Sequence, residues 1–90
     1  MLELKDFEAA YNKVQEVVLP TKLIKSDYFS DQTGNDVYLK PENMQLTGAY
    51  KIRGAYYKIS TLSEEEKAKG LITASAGNHA QGVALSLIHI

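Results

Sequence analysis

Two polar segments of this chain contain residues that could perform chemistry. The first runs from Lys40 to Ala55 and includes Lys51, which follows a Thr-Gly turn and lies where a helix is expected to begin. A lysine that is partly desolvated, or close to another cation such as Arg53, can lose its proton and become a nucleophile that forms a Schiff base. By position alone, a solvated surface charge is the more ordinary role for Lys51.

The second segment, Ser75–Ala84, follows the apolar residues Leu71-Ile72-Thr73. A strand that runs into a small-residue turn and then a helix exposes free backbone N–H groups, and helix N-termini of this kind bind anions. The residues that could contact a ligand there are Ser75, Ala76, Gly77, Asn78 and His79. A structural turn capped by Asn78, with His79 in a capping or surface role, explains the same pattern.

The elements that position these segments begin with an amphipathic helix. Apolar residues recur at helical spacing from Leu4 to Val18, and Pro20 is expected to end the helix by about Leu19. An irregular loop is expected from Thr21 to Asn35, with four apolar residues holding it to the surface: Leu23, Ile24, Tyr28 and Phe29. A short strand is predicted for Val37–Lys40.

A second apolar stripe at helical spacing, Ala49, Ile52, Tyr56 and Ile59, predicts a helix after the Thr-Gly turn. Ser63 is the expected N-cap of a third helix, whose acidic first turn offsets the helix dipole, and Gly70 is its expected C-cap. Residues 71–73 are predicted to form a second strand before the next helix. This order predicts an α/β fold, with a partial open sheet of parallel strands and flanking helices.

Composition narrows the function classes. Ninety residues make one small domain at most, and a net charge of -1 gives no reason to expect nucleic acid or an anionic membrane as partner. The absence of cysteine excludes disulfides and thiolate metal sites, and no metal site is predicted. No apolar run approaches the ~20 residues that span a bilayer, and no secretory signal is visible, so a cytoplasmic location is expected.

The two polar segments also carry a family resemblance. Lys40–Ala55 resembles the lysine motif of the fold-type II pyridoxal-phosphate enzymes, the group around the tryptophan synthase β subunit. That motif reads roughly Lys-x-Glu-Asn-x-Gln-x-Thr-Gly-Ser-Phe-Lys-x-Arg-Gly-Ala. Ser75–Ala84 is similar to the Ser-Ala-Gly-Asn-His-Ala-Gln-Gly-Val-Ala motif of the serine/threonine dehydratase branch. The resemblance extends over most of residues 1–84 and is strongest to the threonine ammonia-lyases (threonine dehydratases).

The resemblance implies a pyridoxal 5'-phosphate cofactor and a role for each matching position. Lys51 would hold the cofactor covalently and move the α-proton of an amino acid substrate, while Asn78 would bond the cofactor's 3′ oxygen. The substrate carboxylate pocket would be lined by Ser75, Ala76, Gly77 and His79, with Thr47 close by. With the pyridine ring as electron sink, loss of the β-hydroxyl would yield ammonia and a 2-oxo acid, which is 2-oxobutanoate for threonine. A homo-oligomeric parent enzyme of amino-acid metabolism, such as isoleucine biosynthesis, is implied.

The chain also departs from the family pattern. Ala49 and Tyr50 replace the commoner Ser and Phe, and Lys22 replaces a frequent Pro. The family's glycine-rich phosphate loop lies downstream of the asparagine motif and is not present. We therefore expect residues 1–84 to be the N-terminal part of an incomplete catalytic domain, inactive by itself. The tail 85–90 resembles the translation of a sequencing-transposon end and is expected to be non-native, the alternative being a genuine apolar helix end.

Three other interpretations remain open at the level of sequence. Serine dehydratases and serine racemases share both motifs, so the substrate can differ. A non-catalytic module binding a small anion at the turn of residues 75–78 would not need Lys51. A structural remnant without ligand would expose its apolar stripes and aggregate or remain partly unfolded.

Overall fold

The computed structural model describes every residue from Met1 to Ile90 and begins with helix α1, Leu4–Val14. The Asp6 carboxylate accepts a hydrogen bond from the Glu3 N–H at 2.8 Å, which satisfies a donor at the helix start. The helix ends five residues before the predicted limit, and turns occupy residues 15–17. The predicted packing stripe is wrong over its first two turns. Leu4, Phe7 and Tyr11 are 60–72% exposed, since no other element covers them.

Residues 21–35 are more ordered than the sequence predicted. They contain strand β1, Ile24–Lys25, and helix α2, Asp27–Thr33. The Ser26 hydroxyl caps α2 by accepting from the Phe29 N–H at 3.2 Å, and Gly34 ends the helix at a φ of 70°. The prediction of apolar anchors is also wrong. The four residues proposed for that role are 47–68% exposed, because nothing in the chain packs over them.

Strand β2, Tyr38–Leu39, lies within the predicted strand but is shorter. It pairs with β1, which was not predicted, in an antiparallel register that places Ile24 opposite Leu39. The expectation of parallel strands is wrong, since the sheet contains only this antiparallel pair. Helix α2 and the turn after it reverse the chain between β1 and β2. Residues 71–73, predicted as a strand, form none, because a strand needs a neighbour for its backbone hydrogen bonds and none lies beside them.

The remaining helices agree with the sequence prediction. They are α3, Lys51–Ser60, α4, Glu64–Ala68, and α5, Asn78–His89. The predicted α3 stripe is buried in full, with Ile52 at 0% exposure. Ser63 caps α4 through its side chain, and Gly70 follows α4 at a φ of 80°, as expected for these residues. None of these helices has the combination of length and apolar character required to cross a membrane.

The core is small and lies where α3 meets α5 and the chain leaving α1. Val17, Ile52 and Tyr56 form its centre, with Val18 and Leu85 packed beside them. The Tyr56 hydroxyl donates to the Glu16 carboxylate at 2.5 Å, which joins the end of α1 to α3. This hydrogen bond, together with Lys13, lowers the pKa of Glu16, and it raises the pKa of Tyr56.

The last residues continue α5 without interruption to His89. Ser86 is fully buried, and its hydroxyl donates to the Gly82 carbonyl one turn earlier at 2.6 Å. The suggestion that residues 85–90 are non-native stays a prediction, alongside its alternative of a genuine helix end.

Candidate functional site

Lys51 is the first residue of α3, as the sequence predicted. Its side chain is half-buried, and its Nζ lies 5.3 Å from the centre of the Tyr50 ring, within the range of a cation–π contact. All six ion pairs of the chain involve other residues. The amine of Lys51 is thus held against an aromatic face and is not committed to a carboxylate.

A bidentate ion pair fixes the entry to α3. The Arg53 guanidinium donates to both Glu42 carboxylate oxygens, from Nε at 2.9 Å and from the terminal nitrogen at 2.8 Å. The hydrogen bond from Arg53 lowers the pKa of Glu42, and the same contact raises the pKa of Arg53. The charge of Arg53, which the sequence suggested as a neighbouring cation for Lys51, is therefore balanced by Glu42.

Gln45 holds the loop before Lys51 from the other side and was missed at the level of sequence. It is 4% exposed, and its side-chain amide pairs with one backbone residue, Leu19. The Leu19 N–H donates to Gln45 Oε1 at 2.9 Å, and Gln45 Nε2 donates to the Leu19 carbonyl at 3.0 Å. Gln45 belongs to the lysine motif, but no local signal identifies a partner 26 residues earlier.

The Thr-Gly turn connects this loop to α3. Gly48 has a φ of 72°, a left-handed conformation that glycine adopts without strain, and its N–H donates to the Gln45 carbonyl at 2.8 Å. The half-buried Thr47 hydroxyl donates to the Ala49 carbonyl at 3.4 Å. Thr47 is thus placed four residues before Lys51, on a turn whose shape depends on Gly48.

The second polar segment forms the N-terminus of α5. Gly77 is the N-cap and contributes no side chain, while the Ser75 hydroxyl accepts from the Gly77 N–H at 3.1 Å. Asn78 is the first helical residue, not the cap that the alternative reading required, and its exposed amide forms no hydrogen bond within the chain. The first-turn N–H groups have no intrahelical acceptor and are available to an anion.

Gly82 brings the two segments together. A Cβ atom at position 82 would lie 3.2 Å from the Lys51 carbonyl oxygen and 3.3 Å from the Ile52 nitrogen. The backbone of α5 therefore packs directly on the main chain of Lys51. Asn78 precedes Gly82 by four residues, so it lies on the same helix face about 6 Å away along the axis.

His79 lies on a different side of this arrangement. It lines an apolar cavity of about 240 Å³ between α3, α5 and residues 71–73. Gly54, Lys58 and Val83 share that lining, whereas Lys51, Ser75 and Asn78 do not. A larger cavity of about 490 Å³ lies beside Tyr50, Arg53 and Glu42 and contains none of the predicted site residues.

The chemistry of the donors on and around these helices defines what they can bind. A primary amine without a carboxylate partner can attack an aldehyde, and an unpaired side-chain amide can donate to a phenolate oxygen. Free N–H groups at the start of α5 can donate hydrogen bonds to a carboxylate. The close backbone contact at Gly82 leaves these groups on adjacent elements. The residues present fit an aldehyde-bearing cofactor together with an amino acid.

Comparison with known proteins extends this description. The sequence profile of a family described as "Pyridoxal-phosphate dependent enzyme" matches residues 14–87. The chain is 54% identical over 86 residues to the L-threonine ammonia-lyase of Thermotoga maritima, covering 96% of this chain and 21% of that protein. It is 55% identical over 87 residues to the catabolic L-threonine dehydratase of Staphylococcus aureus, covering 96% and 25%.

A likeness to solved structures agrees with these matches. Maize serine racemase superposes with a TM-score of 0.85 at 34% identity, over 98% of this chain and 28% of that chain. The 90 residues thus span about a fifth to a quarter of the length of the curated relatives. The predicted fold class, part of a tryptophan synthase β-like fold, is confirmed by this likeness.

Proposed function

Because this chain belongs to the family of pyridoxal-phosphate-dependent enzymes, we propose that residues 1–84 are the N-terminal part of the catalytic domain of an L-threonine ammonia-lyase. The observation that carries the proposal is the packing of α5, at Gly82, on the main chain of Lys51. Asn78 lies on α5 one turn before Gly82. A surface lysine needs no such arrangement. The parent enzyme is a cytoplasmic homo-oligomer in this proposal, and sedimentation of the full-length protein tests the assembly.

Lys51 is the residue that holds the cofactor and moves a proton at the substrate Cα. Its Nζ is not paired with a carboxylate and lies against the Tyr50 ring, which limits the directions that the side chain can take. With the cofactor bound, the amine would hold its aldehyde carbon, and the free amine would be placed to take the α-proton. Glu42 and Gln45 contribute by holding the loop from which α3 begins.

Asn78 and the turn before it bind and orient. The side-chain amide of Asn78, which has no partner in the chain, donates to the cofactor's 3′ oxygen. The substrate carboxylate is bound by the turn of Ser75, Ala76 and Gly77 and by the first N–H groups of α5. Thr47 lies close by on the preceding turn. His79 is proposed to reach the carboxylate from the edge of this turn, while its ring also borders the apolar cavity on the other side of α5.

Pyridoxal 5'-phosphate, when bound, supplies an electron sink for the charge that develops at the substrate Cα. The protein supplies position and proton transfer. With the cofactor bound, Lys51 would take the α-proton, and the β-hydroxyl of threonine would leave together with that proton as water. Hydrolysis of the released enamine would consume one water and give 2-oxobutanoate and ammonia.

Threonine is the proposed substrate because the relatives named for it share 54–55% of the aligned residues. Serine racemase or serine dehydratase activity is the second candidate, and the superposition on maize serine racemase favours it. That relative shares 34% of the aligned residues, so the sequence comparison favours threonine. A substrate screen that measures 2-oxo acid release and racemisation separately distinguishes the two activities.

The experiment that tests the proposal uses the full-length protein in which these residues occur. With threonine and pyridoxal 5'-phosphate, we expect 2-oxobutanoate to be released, and Lys51→Ala to reduce the rate by about 10³-fold or more, since the amine acts directly in the reaction. Lys51→Arg is the matched control for charge, because it retains the cation but not the nucleophile. Normal turnover in Lys51→Ala would remove Lys51 from its role. Phosphate binding unaffected by that substitution, without turnover, would favour the anion-binding module.

A further inference from the structure

Two glycines lie inside the helices that meet at Lys51, and their surroundings differ. Gly54, in α3, has no atom within 4 Å of the place where a Cβ would be. At Gly82, in α5, a Cβ would lie 3.2 Å from the Lys51 carbonyl oxygen and 3.3 Å from the Lys51 carbonyl carbon. These separations are tighter than ordinary van der Waals contact, so an alanine at position 82 would require the helices to move.

The atoms that Gly82 meets are backbone atoms of Lys51 and Ile52, which cannot turn aside as a flexible side chain can. Ile52 is fully buried in the core with Val17 and Tyr56, so α3 is braced from its other side. Ser86, one turn further along α5, is fully buried as well. A methyl group at position 82 would therefore shift α5 relative to the start of α3, by a few tenths of an ångström.

We infer that Gly82 is a positioning residue that sets the separation between Lys51 and the N-terminus of α5. The inference rests on the proposed function, in which Lys51 and Asn78 hold the same cofactor. Glycine destabilises a helix interior relative to alanine. At position 82 that cost is offset by the close approach of two backbones, which no other residue type permits.

The functional consequence follows from the sensitivity of catalysis to distance. Asn78 and the free N–H groups of α5 move with Gly82, whereas Lys51 moves with α3. A small displacement between the two leaves each group intact but misaligns the amine with the atoms that Asn78 orients. Misplacement by about 1 Å can reduce a rate by roughly 100-fold, so a shift of about 0.3 Å is expected to cost roughly 4-fold.

The test compares Gly82→Ala with Gly54→Ala in the full-length holoenzyme. We expect Gly82→Ala to lower kcat roughly 4-fold with a smaller change in KM, and Gly54→Ala to change neither. The absorbance of the bound cofactor, titrated against pH, gives a readout independent of turnover, and its midpoint is expected to move in Gly82→Ala only. Ile59→Val, a buried α3 substitution that does not touch Lys51, controls for a loss of stability alone.

The outcomes separate this inference from the proposed function. If Lys51→Ala abolishes attachment of the cofactor, while Gly82→Ala matches Gly54→Ala in kcat and in the titration midpoint, Gly82 has no positioning role. If Ile59→Val shifts the midpoint as much as Gly82→Ala does, the effect is one of stability and the inference also fails. Attachment that survives Lys51→Ala contradicts the proposed function instead.

A second variant keeps the test decisive if Gly82→Ala does not fold. Ala55 lies one turn after Lys51 on α3, is 5% exposed, and borders the same cavity as Val83 of α5. Ala55→Ser adds one atom to the same helix pair. We expect a smaller fall in kcat and a midpoint shift in the same direction, and a wild-type midpoint in this variant would contradict the inference.

Discussion

Gln45 illustrates how a polar side chain can fix a functional loop without taking part in the chemistry. Both polar atoms of its buried amide are used on the backbone of Leu19, next to Pro20, which has no N–H of its own. A backbone N–H and a C=O that would otherwise need water are thereby satisfied within the chain. The loop that leads to Lys51 is thus attached to the chain leaving α1.

We predict that Gln45→Ala lowers the free energy of unfolding by about 1–3 kcal/mol, because it removes two hydrogen bonds to the Leu19 backbone. Asn43→Ala is the matched control, since Asn43 lies in the same loop and is exposed. Urea unfolding of both variants measures the difference. A value for Gln45→Ala equal to that for Asn43→Ala would show that the two hydrogen bonds with Leu19 do not contribute.

The same residue shows the limit of the sequence as a source of prediction. Lys51 and Asn78 could be placed at helix starts, because their neighbours supply local signals: a Thr-Gly turn before one and a small-residue turn before the other. The partners of Gln45 and Gly82 lie 26 and 31 positions away in sequence. Such contacts depend on how the helices pack, and hydrophobic periodicity contains no information about them.

At the scale of elements, local signals explain which predictions were confirmed. Helix α4 has its capping serine, acidic first turn and terminal glycine within eight residues, and the structure places all three as expected. Helix α2 has comparable caps in Ser26 and Gly34, but the sequence prediction gave an irregular loop at these residues. The pairing of β1 with β2 was not predictable in the same way, because a strand of two residues is too short to show alternating apolar and polar side chains.

The ion pair between the 3₁₀ turn at Glu42–Met44 and α3 gives a prediction about pH. Arg53 lowers the pKa of Glu42 below its ordinary value of 4.5, so the folded state binds this proton less readily than the unfolded state. The stabilisation is therefore fully present above about pH 4.5 and is lost as the pH falls through the lowered pKa of the folded chain. Both side chains are partly exposed, which limits the contribution to about 1 kcal/mol.

The measurement is the difference in unfolding free energy between the wild-type chain and Glu42→Gln across this pH range. We expect the difference to be constant near neutral pH and to shrink below about pH 4.5. Using a difference removes the acid dependence of Glu16 and Glu66, whose pKa values are also lowered. Glu65→Gln, in an exposed pair with Lys69, should change stability by less than about 0.5 kcal/mol. A pH-independent difference for Glu42→Gln would contradict the assignment to this ion pair.

At the scale of the whole molecule, the chain is extended for its length. Its radius of gyration is 16.2 Å, whereas a compact domain of this size would have about 12 Å. Only ten of the 90 residues are buried. The sequence identifies an apolar stripe on both α1 and α3, but only the stripe on α3 is buried in full. The pattern predicts which face of a helix is apolar, but burial also requires a partner, and α1 has one only near its C-terminal end.

This difference leads to a prediction about association. Leu4, Phe7 and Tyr11 form an apolar strip on the exposed face of α1, and apolar patches of this kind promote contact between molecules. We expect the 90-residue chain to self-associate with increasing concentration, and Phe7→Glu to reduce that association without loss of helix content. The substitution places a charge at a position that makes no buried contact, so it removes an attraction between molecules while the fold is retained.

Glu8→Gln, on the neighbouring polar face, serves as the control, and sedimentation velocity measures the association of both variants. If Phe7→Glu sediments like the wild-type chain at every concentration, the α1 strip does not drive association, and the exposed residues around α2 become the surface to test.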